Sequence, residues 1–135
     1  MRCLIDANVI LDVLSDREPF VKDSSMIWKL CETEQIEGYL SALTFADLVC
    51  VLRKELNPEG IEMVPNSLKV IFHITELNAA DLSSAAALRW KDFEDALQTV
   101  TAARIKADCI ITRNPKDFKH SEVKALTPQE MISKL

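Results

Sequence analysis

Short apolar runs alternate along this chain with longer segments in which apolar residues return every three or four positions. The run that begins at Cys109 is unbroken, which is typical of a strand covered on both faces of a parallel sheet. From Phe45 onward, apolar residues follow at the spacings that place them on one face of a helix. The alternation of these two patterns indicates parallel βαβ units.

The same pattern predicts the elements one by one. Strands are predicted at residues 3–5, 38–41, 70–74, 109–112 and 123–126. Helices are predicted at 9–14, from Pro19 to about Glu34, from a cap at Thr44, at 79–90, at 92–106, and from a capping box at 127–130. Residues 57–67 contain two prolines and a glycine and are interpreted as a loop with room for one short helix. The order predicts a three-layer α/β/α sandwich, and 135 residues suit one domain, residues 1–135.

The composition argues against several classes of protein. With 48% hydrophobic and 27% charged residues, the chain is expected to fold rather than remain disordered. It contains no apolar run of the roughly 18 residues or more that a membrane span requires, and an acid follows Ile5 at once, so we expect a cytoplasmic protein. Four scattered cysteines without a Cys-x-x-Cys pair predict reduced, buried thiols. With two glycines and no Gly-rich motif, a phosphate-binding loop is disfavoured.

Acidic residues stand where strands end or helices begin. Asp6 follows the first strand and Asp117 the fourth, while Asp47, Asp92 and Asp95 lie in first turns of helices. Ligands of an open parallel sheet bind beyond the carboxyl ends of its strands, so these acids are candidates for one site. Clustered carboxylates repel one another unless cations join them, and Mg²⁺ or Mn²⁺ prefers such oxygen ligands. These ions activate water and stabilise phosphoryl displacement, which predicts a phosphodiesterase.

Each acid also has a simpler interpretation. Asp47, Asp92 and Asp95 would favour helix N-termini in any protein, and Asp117 suits a turn. Asp6 is harder to explain in this way, because an acid between a central strand and an apolar helix needs a partner or a cation. The formal charge of −5 argues against a general nucleic-acid coating protein, yet it leaves a metal-bearing nuclease open.

Three short motifs resemble those of the PIN-domain ribonucleases, and they occur in that family's order over nearly the whole chain. Residues 4–11, LIDANVIL, resemble the opening motif around the first acid; Asp95-Ala96-Leu97 with Ala102-Ala103 resembles the third-acid helix; Ile111-Thr112-Arg113-Asn114 with Asp117-Phe118 resembles the closing motif. The resemblance implies a Rossmann-like sheet, dependence on Mg²⁺ or Mn²⁺, and endonucleolytic cleavage of RNA. Many compact members are VapC-type toxins, which implies a small antitoxin partner and a homodimer.

The resemblance also suggests roles for individual residues. The four catalytic acids would be Asp6, Asp47, Asp95 and Asp117, with Asp92 added to the metal-binding set. Asp6 and Asp95 would hold the main ion, Asp47 would bind it directly or through water, and the other two would complete an outer site or position water. Neutral groups that orient them would be Asn8, Thr112 and Asn114, and the candidates for phosphate contacts are Arg113 and Lys116. Asp47 stands where glutamate is commoner in the family, and Asn114 where some members have aspartate.

Two other functions remain open on the sequence. A phosphoacceptor signalling domain would need an aspartate after a central strand, but the third strand is followed by Glu76. A PIN-like module without catalytic activity would only bind a partner. Arg89-Trp90-Lys91 is a candidate RNA or dimer contact, whereas His73 and His120 lack a spacing that suggests catalysis.

Overall fold

A five-stranded sheet forms the middle layer of the molecule. The structure is a computed structural model that describes residues 1–135. Its strands are β1 (Arg2–Ile5), β2 (Glu37–Ser41), β3 (His73–Thr75), β4 (Cys109–Ile111) and β5 (Ala125–Leu126). The helices are α1 (Ala7–Leu14), α2 (Val21–Glu32), α3 (Ala42–Leu52), α4 (Pro58–Ile71), α5 (Ala79–Leu88), α6 (Phe93–Arg104) and α7 (Pro128–Ser133), with a 3-10 helix, η1 (Pro115–Phe118). The predicted three-layer α/β/α sandwich is confirmed.

The strand order β3-β2-β1-β4-β5 places β1 at the centre, and all four pairings are parallel. Leu4 pairs with Tyr39 of β2 on one side and with Ile110 of β4 on the other. The chain moves outward from β1 to β3 and then crosses back to β4, so the strand order reverses beside β1. This is the position at which open α/β sheets bind ligands.

Successive residues of the central strand pack into different layers. Cys3 and Ile5 belong to a large core that includes buried residues of α1, α2, α3, α4 and α7. Leu4 packs on the opposite face with Ala102 of α6 and Phe118 of η1. Because neighbouring side chains of a strand point to opposite faces, four residues of β1 connect both helical layers. None of the helices combines the length and apolar composition that crossing a bilayer requires.

The loop predicted at residues 57–67 is wrong, since α4 occupies this segment. Asn57 caps the helix by accepting a hydrogen bond from Gly60 N at 2.8 Å, and Pro58 stands in the first turn, where its missing N–H is harmless. Pro65 lies inside the helix, and the burial of Leu68 in the core stabilises the segment despite it.

The third strand is correspondingly shorter than predicted, because residues 70 and 71 end α4. Val70 is 85% exposed, whereas Phe72 is buried and leads into β3.

The cap predicted at Thr44 is also wrong. Ser41 caps α3 by accepting a hydrogen bond from Thr44 N at 3.0 Å, so the helix begins three residues earlier. The capping box of α7 is confirmed by Thr127 and Glu130.

Candidate active site

Asp6 lies where β1 ends and α1 begins. Its Oδ1 accepts a hydrogen bond from Ala7 N at 2.9 Å. Its Oδ2 accepts one from Thr112 Oγ1, at the end of β4, at 2.8 Å and one from Asn8 Nδ2 at 3.3 Å. Asp6 takes part in none of the protein's ion pairs. A carboxylate at the sheet's reversal point is therefore held by neutral donors alone.

The surroundings of Asp6 disfavour its charged form. Burial raises the pKa of Asp6, and the nearby carboxylate of Asp117 raises it further. The hydrogen bonds from Thr112 and Ala7 lower the pKa, as does the amide of Gln98, but burial is the strongest influence. Asp6 is thus a group whose ionised form would gain from a nearby cation.

The first turn of α6 carries three acids within four residues. Asp92 is the N-cap, because its Oδ1 accepts a hydrogen bond from Asp95 N at 3.1 Å. Asp95 is partly buried, and its pKa is raised to about 7. Burial is the main cause, and repulsion from Asp92, Asp6, Asp117 and Glu94 adds to it in that order. Asp95 therefore lies within the electrostatic reach of acids at the start of α1, at the start of α6 and in η1.

Asp47 projects from α3 toward Glu94 of α6. Burial raises the pKa of Asp47, and hydrogen bonding with Glu94 lowers it. The pKa of Glu94 is raised, chiefly by the charge of Asp47, and Asp92 and Asp6 contribute to the same effect. Glu94 belongs to the same group of acids, although it was not predicted as a site residue. Its position between Asp92 and Asp95 in the first turn was the available signal.

The segment after β4 closes the site on its other side. Thr112 is fully buried and, besides donating to Asp6, accepts a hydrogen bond from Asn114 N at 3.2 Å. Arg113 N donates to Asn8 Oδ1 at 3.4 Å. Asn8 and Thr112 therefore contact Asp6 directly, whereas the Asn114 side chain forms no capping bond and is exposed. Asp117 follows in η1, with its charge close enough to affect Asp6 and Asp95.

Gln98 is a buried residue of the site that the sequence did not single out. Its Oε1 accepts a hydrogen bond from Ser41 Oγ at 2.7 Å, and its Nε2 donates to Thr44 Oγ1 at 2.9 Å. These two hydrogen bonds connect α6 to the first turn of α3. They therefore help to set the distance between the helices that carry Asp95 and Asp47. A glutamine in a helix of mixed composition gives no sequence signal for such a role.

The guanidinium of Arg113 is engaged inside the molecule. Its Nε lies 3.0 Å from Oδ2 of Asp12, a fully buried residue. Its Cζ lies 4.0 Å from the centre of the Phe20 ring, which is the geometry of a cation–π contact. This geometry argues against the predicted phosphate contact for Arg113, because its partners lie on α1 and in the segment before α2. Lys116, by contrast, is exposed beside Asp117.

A cleft of about 1130 Å³ opens beside the acids. One wall is the connection from α5 to α6, residues 88–95, and the other is η1 with the residues just after it. Asp92, Glu94, Asp95 and Asp117 all line this cleft. These four carboxylates are therefore open to solvent and to a large ligand, whereas Asp6 and Asp47 do not line the cleft.

A family model described as PIN domain matches residues 2–116. The chain belongs to the PIN domain family. No curated protein gives a significant sequence match to the chain. Asp6, Asp47, Asp95 and Asp117, the acids that the sequence predicts as catalytic, come from four different segments of the fold.

Several solved structures have the same fold. A toxin–antitoxin complex from Klebsiella pneumoniae has 23% identity, covers 93% of this chain and 97% of that chain, and gives a TM-score of 0.72. FitAcB from Neisseria gonorrhoeae has 21% identity, coverage of 94% and 98%, and a TM-score of 0.71. VapC20 from Mycobacterium tuberculosis, described as a sarcin–ricin loop cleaving toxin, has 10% identity, coverage of 80% and 86%, and a TM-score of 0.63. At these identities the likeness establishes the fold alone.

The donor atoms of this site suit a divalent cation, although they do not form a complete coordination shell. No three His, Cys, Asp or Glu side chains are arranged together as a metal site. The acids nevertheless supply only hard oxygen donors, and their charges raise one another's pKa values. Because Asp6 has no cationic partner, a bound cation would offset a repulsion that the protein itself leaves uncompensated.

Proposed function

We propose that this protein is a metal-dependent endoribonuclease and the toxin of a toxin–antitoxin pair. The observation that carries the proposal is Asp6, a carboxylate at the reversal point of the sheet with neutral donors and other acids as its neighbours. Structural carboxylates at such depth are normally paired with a cation from the protein. The absence of such a pair favours an exogenous cation as the partner.

The proposed cation is Mg²⁺ or Mn²⁺, held mainly by Asp6 and Asp95. Asp47 would bind it directly or through water, and Asp92 and Asp117 would complete an outer site. Such an ion lowers the pKa of bound water and stabilises the charge that develops on a phosphate during displacement. Membership of the PIN domain family supports this assignment.

The protein's own groups would keep the site in the required arrangement. Thr112 and the backbone N–H of Ala7 orient the two oxygens of Asp6. Gln98 fixes the spacing between α3 and α6, which carry Asp47 and Asp95. Such partners keep ligating carboxylates in position before the substrate arrives, which reduces the reorganisation needed in the transition state.

RNA is the proposed substrate, and a small antitoxin is the proposed partner. Support for RNA comes from the family and from the description of VapC20 as a toxin that cleaves the sarcin–ricin loop. Support for the partner comes from the toxin–antitoxin complex of Klebsiella pneumoniae. A cytoplasmic location and a homodimer complete the proposal, because cytoplasmic RNA would be the target and compact family members are usually dimeric.

The proposal is tested by cleavage of a mixed pool of structured RNA with the purified protein. Cleavage is compared in Mg²⁺, Mn²⁺ and EDTA for the unsubstituted protein, for Asp6→Asn, and for Asp23→Asn as a matched control outside the site. We expect metal-dependent cleavage that falls at least about 100-fold in Asp6→Asn, because loss of a metal ligand should exceed the 10- to 100-fold typical of an outer partner. Full activity in Asp6→Asn would contradict the proposal.

A PIN domain that only binds a partner is the second candidate. It is favoured by one observation, namely that the acids do not form a ready-made metal site. A phosphoacceptor domain receives no such support, because the family model that matches the chain is that of the PIN domain. Metal binding separates the first two possibilities, since a ligand that binds only the folded state must raise its stability.

A further inference from the structure

The fourth predicted acid is carried by the short helix η1 and not by the end of a strand. Asn114 stands nearer to the end of β4, but its side chain is neutral, is exposed and forms no capping bond. Asp117, three residues further on, is the first carboxylate after β4. The position of this acid therefore depends on how η1 is attached to the rest of the fold.

The first attachment of η1 is apolar. Phe118 is 3% exposed and packs with Leu4, Ala102 and Ile110 in the core between the sheet and α6. Its ring also meets the ring of Trp90 edge-on, with 6.4 Å between the ring centres. A single side-chain anchor of this kind fixes the place of η1 more firmly than its rotation.

The second attachment is polar and joins the segment after η1 to α6. The hydroxyl groups of Thr99, in α6, and Ser121, three residues beyond η1, form a hydrogen bond. Ser121 Oγ also accepts a hydrogen bond from Val123 N at 3.1 Å, so this serine side chain has partners on both sides. Thr99 is 5% exposed, and its hydroxyl is therefore largely withdrawn from water as an alternative partner.

The spacing along both elements places this hydroxyl pair next to two of the acids. Asp95 and Thr99 are four residues apart in α6 and lie on one face of that helix. Asp117 and Ser121 are also four residues apart, and Asp117 lines the cleft opposite the start of α6. The charge of Asp117 contributes to the raised pKa values of Asp95 and Asp6, so the three carboxylates lie close together.

We infer that Thr99 and Ser121 are positioning residues, whose hydrogen bond keeps Asp117 at the distance from α6 that a shared divalent cation requires. The inference rests on the proposed nuclease function and adds two residues that act through Asp117 and not on the metal. Carboxylates that share a cation repel one another in its absence, so another contact has to keep them together. A pair of hydroxyls does so without a charge that would compete with the cation.

The test measures Mn²⁺ binding by calorimetry, without RNA, in a double-mutant cycle. Ser121→Ala and Thr99→Val each remove one hydroxyl, whereas Thr99→Ser keeps it. Ser121→Ala is also combined with Asp117→Asn, which removes the charge that the serine is inferred to position. Ser67→Ala is the matched control, because this exposed serine of α4 lies outside the cleft and donates to Met63 O at 3.2 Å.

We expect Ser121→Ala and Thr99→Val to weaken Mn²⁺ binding about 10-fold, which is the lower end of the effect of residues that orient metal ligands. Thr99→Ser and Ser67→Ala should bind Mn²⁺ as the unsubstituted protein does. In the Asp117→Asn background, Ser121→Ala should have little further effect, because the residue that it positions no longer carries a charge.

Hydrogen–deuterium exchange in EDTA gives a second readout that needs neither metal nor RNA. The backbone N–H groups of residues 115–121 should exchange faster in Ser121→Ala, because the segment opens more often when it has lost its polar attachment. Exchange in α4 should stay the same, which excludes unfolding of the whole protein as the cause. Ser67→Ala should leave residues 115–121 unchanged.

Three results would overturn the inference, and they are distinguishable. If the unsubstituted protein binds Mn²⁺ and Ser121→Ala binds it equally well, the hydroxyl pair positions no ligand, and the nuclease proposal stands. If Ser121→Ala causes the same loss with and without Asp117→Asn, the serine supports the fold and does not act through Asp117. If the unsubstituted protein binds no Mn²⁺, the proposed function fails and the inference fails with it.

Discussion

Two aspartates near opposite ends of α1 are withdrawn from water but have different charged neighbours. Asp12 is fully buried, lies 3.0 Å from Nε of Arg113 and accepts a hydrogen bond from Ser24 Oγ at 3.0 Å. Asp6 has only neutral donors, and its charged neighbours are other acids. Asp12 therefore forms an ion pair within the fold, whereas the charge of Asp6 has no cationic partner.

The difference separates an acid that the fold pairs with its own cation from one that we propose binds an exogenous cation. The ion pair of Asp12 joins α1 to the segment after β4, the segment that also provides Thr112 to Asp6. The paired acid thereby holds in place the strand end on which the unpaired acid depends. A buried acid of this protein is thus a candidate ligand when the fold gives it no cation.

The largest expected effect is the loss of stability in Asp12→Ala. Removing one partner of a buried ion pair leaves the other charge uncompensated, which typically costs about 3–5 kcal/mol in the free energy of unfolding. Urea denaturation measures this change. Glu32→Ala, an exposed acid of α2, is the control and should change stability by less than about 0.5 kcal/mol.

The comparison with Asp6 is made in the same experiment. Asp6→Asn should leave the unfolding free energy nearly unchanged, because asparagine also caps helices and the lost charge was disfavoured by burial. Adding Arg113→Met to Asp12→Ala should recover part of the loss, since the unpaired guanidinium is then removed as well. Equal stability losses in Asp12→Ala and Asp6→Asn would erase the distinction drawn between the two acids.

Stabilisation by metal is the next largest effect. Mn²⁺ at a hundred times its dissociation constant should raise the unfolding free energy by about 2.7 kcal/mol if it binds only the folded protein. Thermal denaturation with Mn²⁺ and with NaCl of equal ionic strength separates binding from simple screening of the acids. Asp6→Asn should lose most of the Mn²⁺ effect. An identical shift in both salts would mean that the acids hold no specific ion.

The sequence predicted the central part of this site because the signals there are local. An unbroken apolar run followed directly by Asp6 identifies the end of a central strand, and Asp92 and Asp95 stand in a recognisable first turn. The structure brings these acids to one edge of the sheet, as parallel topology requires.

The features that the sequence did not reveal depend on distant contacts. Arg113 was expected to contact RNA because it adjoins the predicted site. Its ion pair could not be predicted, because Asp12 lies 101 positions away in the chain. Gln98 became significant only when α6 packed beside Ser41 and Thr44. The helix at Pro58–Ile71 was missed because prolines were interpreted as breaks, although packing of its buried face outweighs them.

Gln98→Met tests the support between α3 and α6 at nearly constant side-chain volume. The substitution removes one hydrogen-bond partner from each of the buried hydroxyls of Ser41 and Thr44, which remain bonded to each other at 3.1 Å, and should lower the unfolding free energy by about 1 kcal/mol. Cleavage should fall about 10- to 100-fold, as for other residues that orient metal ligands. Urea denaturation and RNA cleavage are measured together. A loss of stability without loss of activity would make Gln98 a packing residue only.

The smallest effect, and the most direct readout of the unpaired acids, is the pH dependence of stability in EDTA. Asp6, Asp47, Glu94 and Asp95 all have raised pKa values, that of Asp95 reaching about 7 from an ordinary 3.8. A folded state that binds protons more tightly than the unfolded state loses stability as pH rises through this window. For Asp95 the slope should stay below about 1 kcal/mol per pH unit, because its charge is partly screened by solvent.

Urea denaturation from about pH 5 to about pH 8 should therefore show a decline that Asp95→Asn makes shallower. The difference between the two proteins isolates Asp95 from the histidines, which are present in both. Saturating Mg²⁺ should oppose the decline, because a cation favours the ionised carboxylates that protons otherwise neutralise. A decline of the same slope with and without the ion, in both proteins, would show that the acids of the cleft do not share one cation, and the contrast with Asp12 would lose its functional meaning.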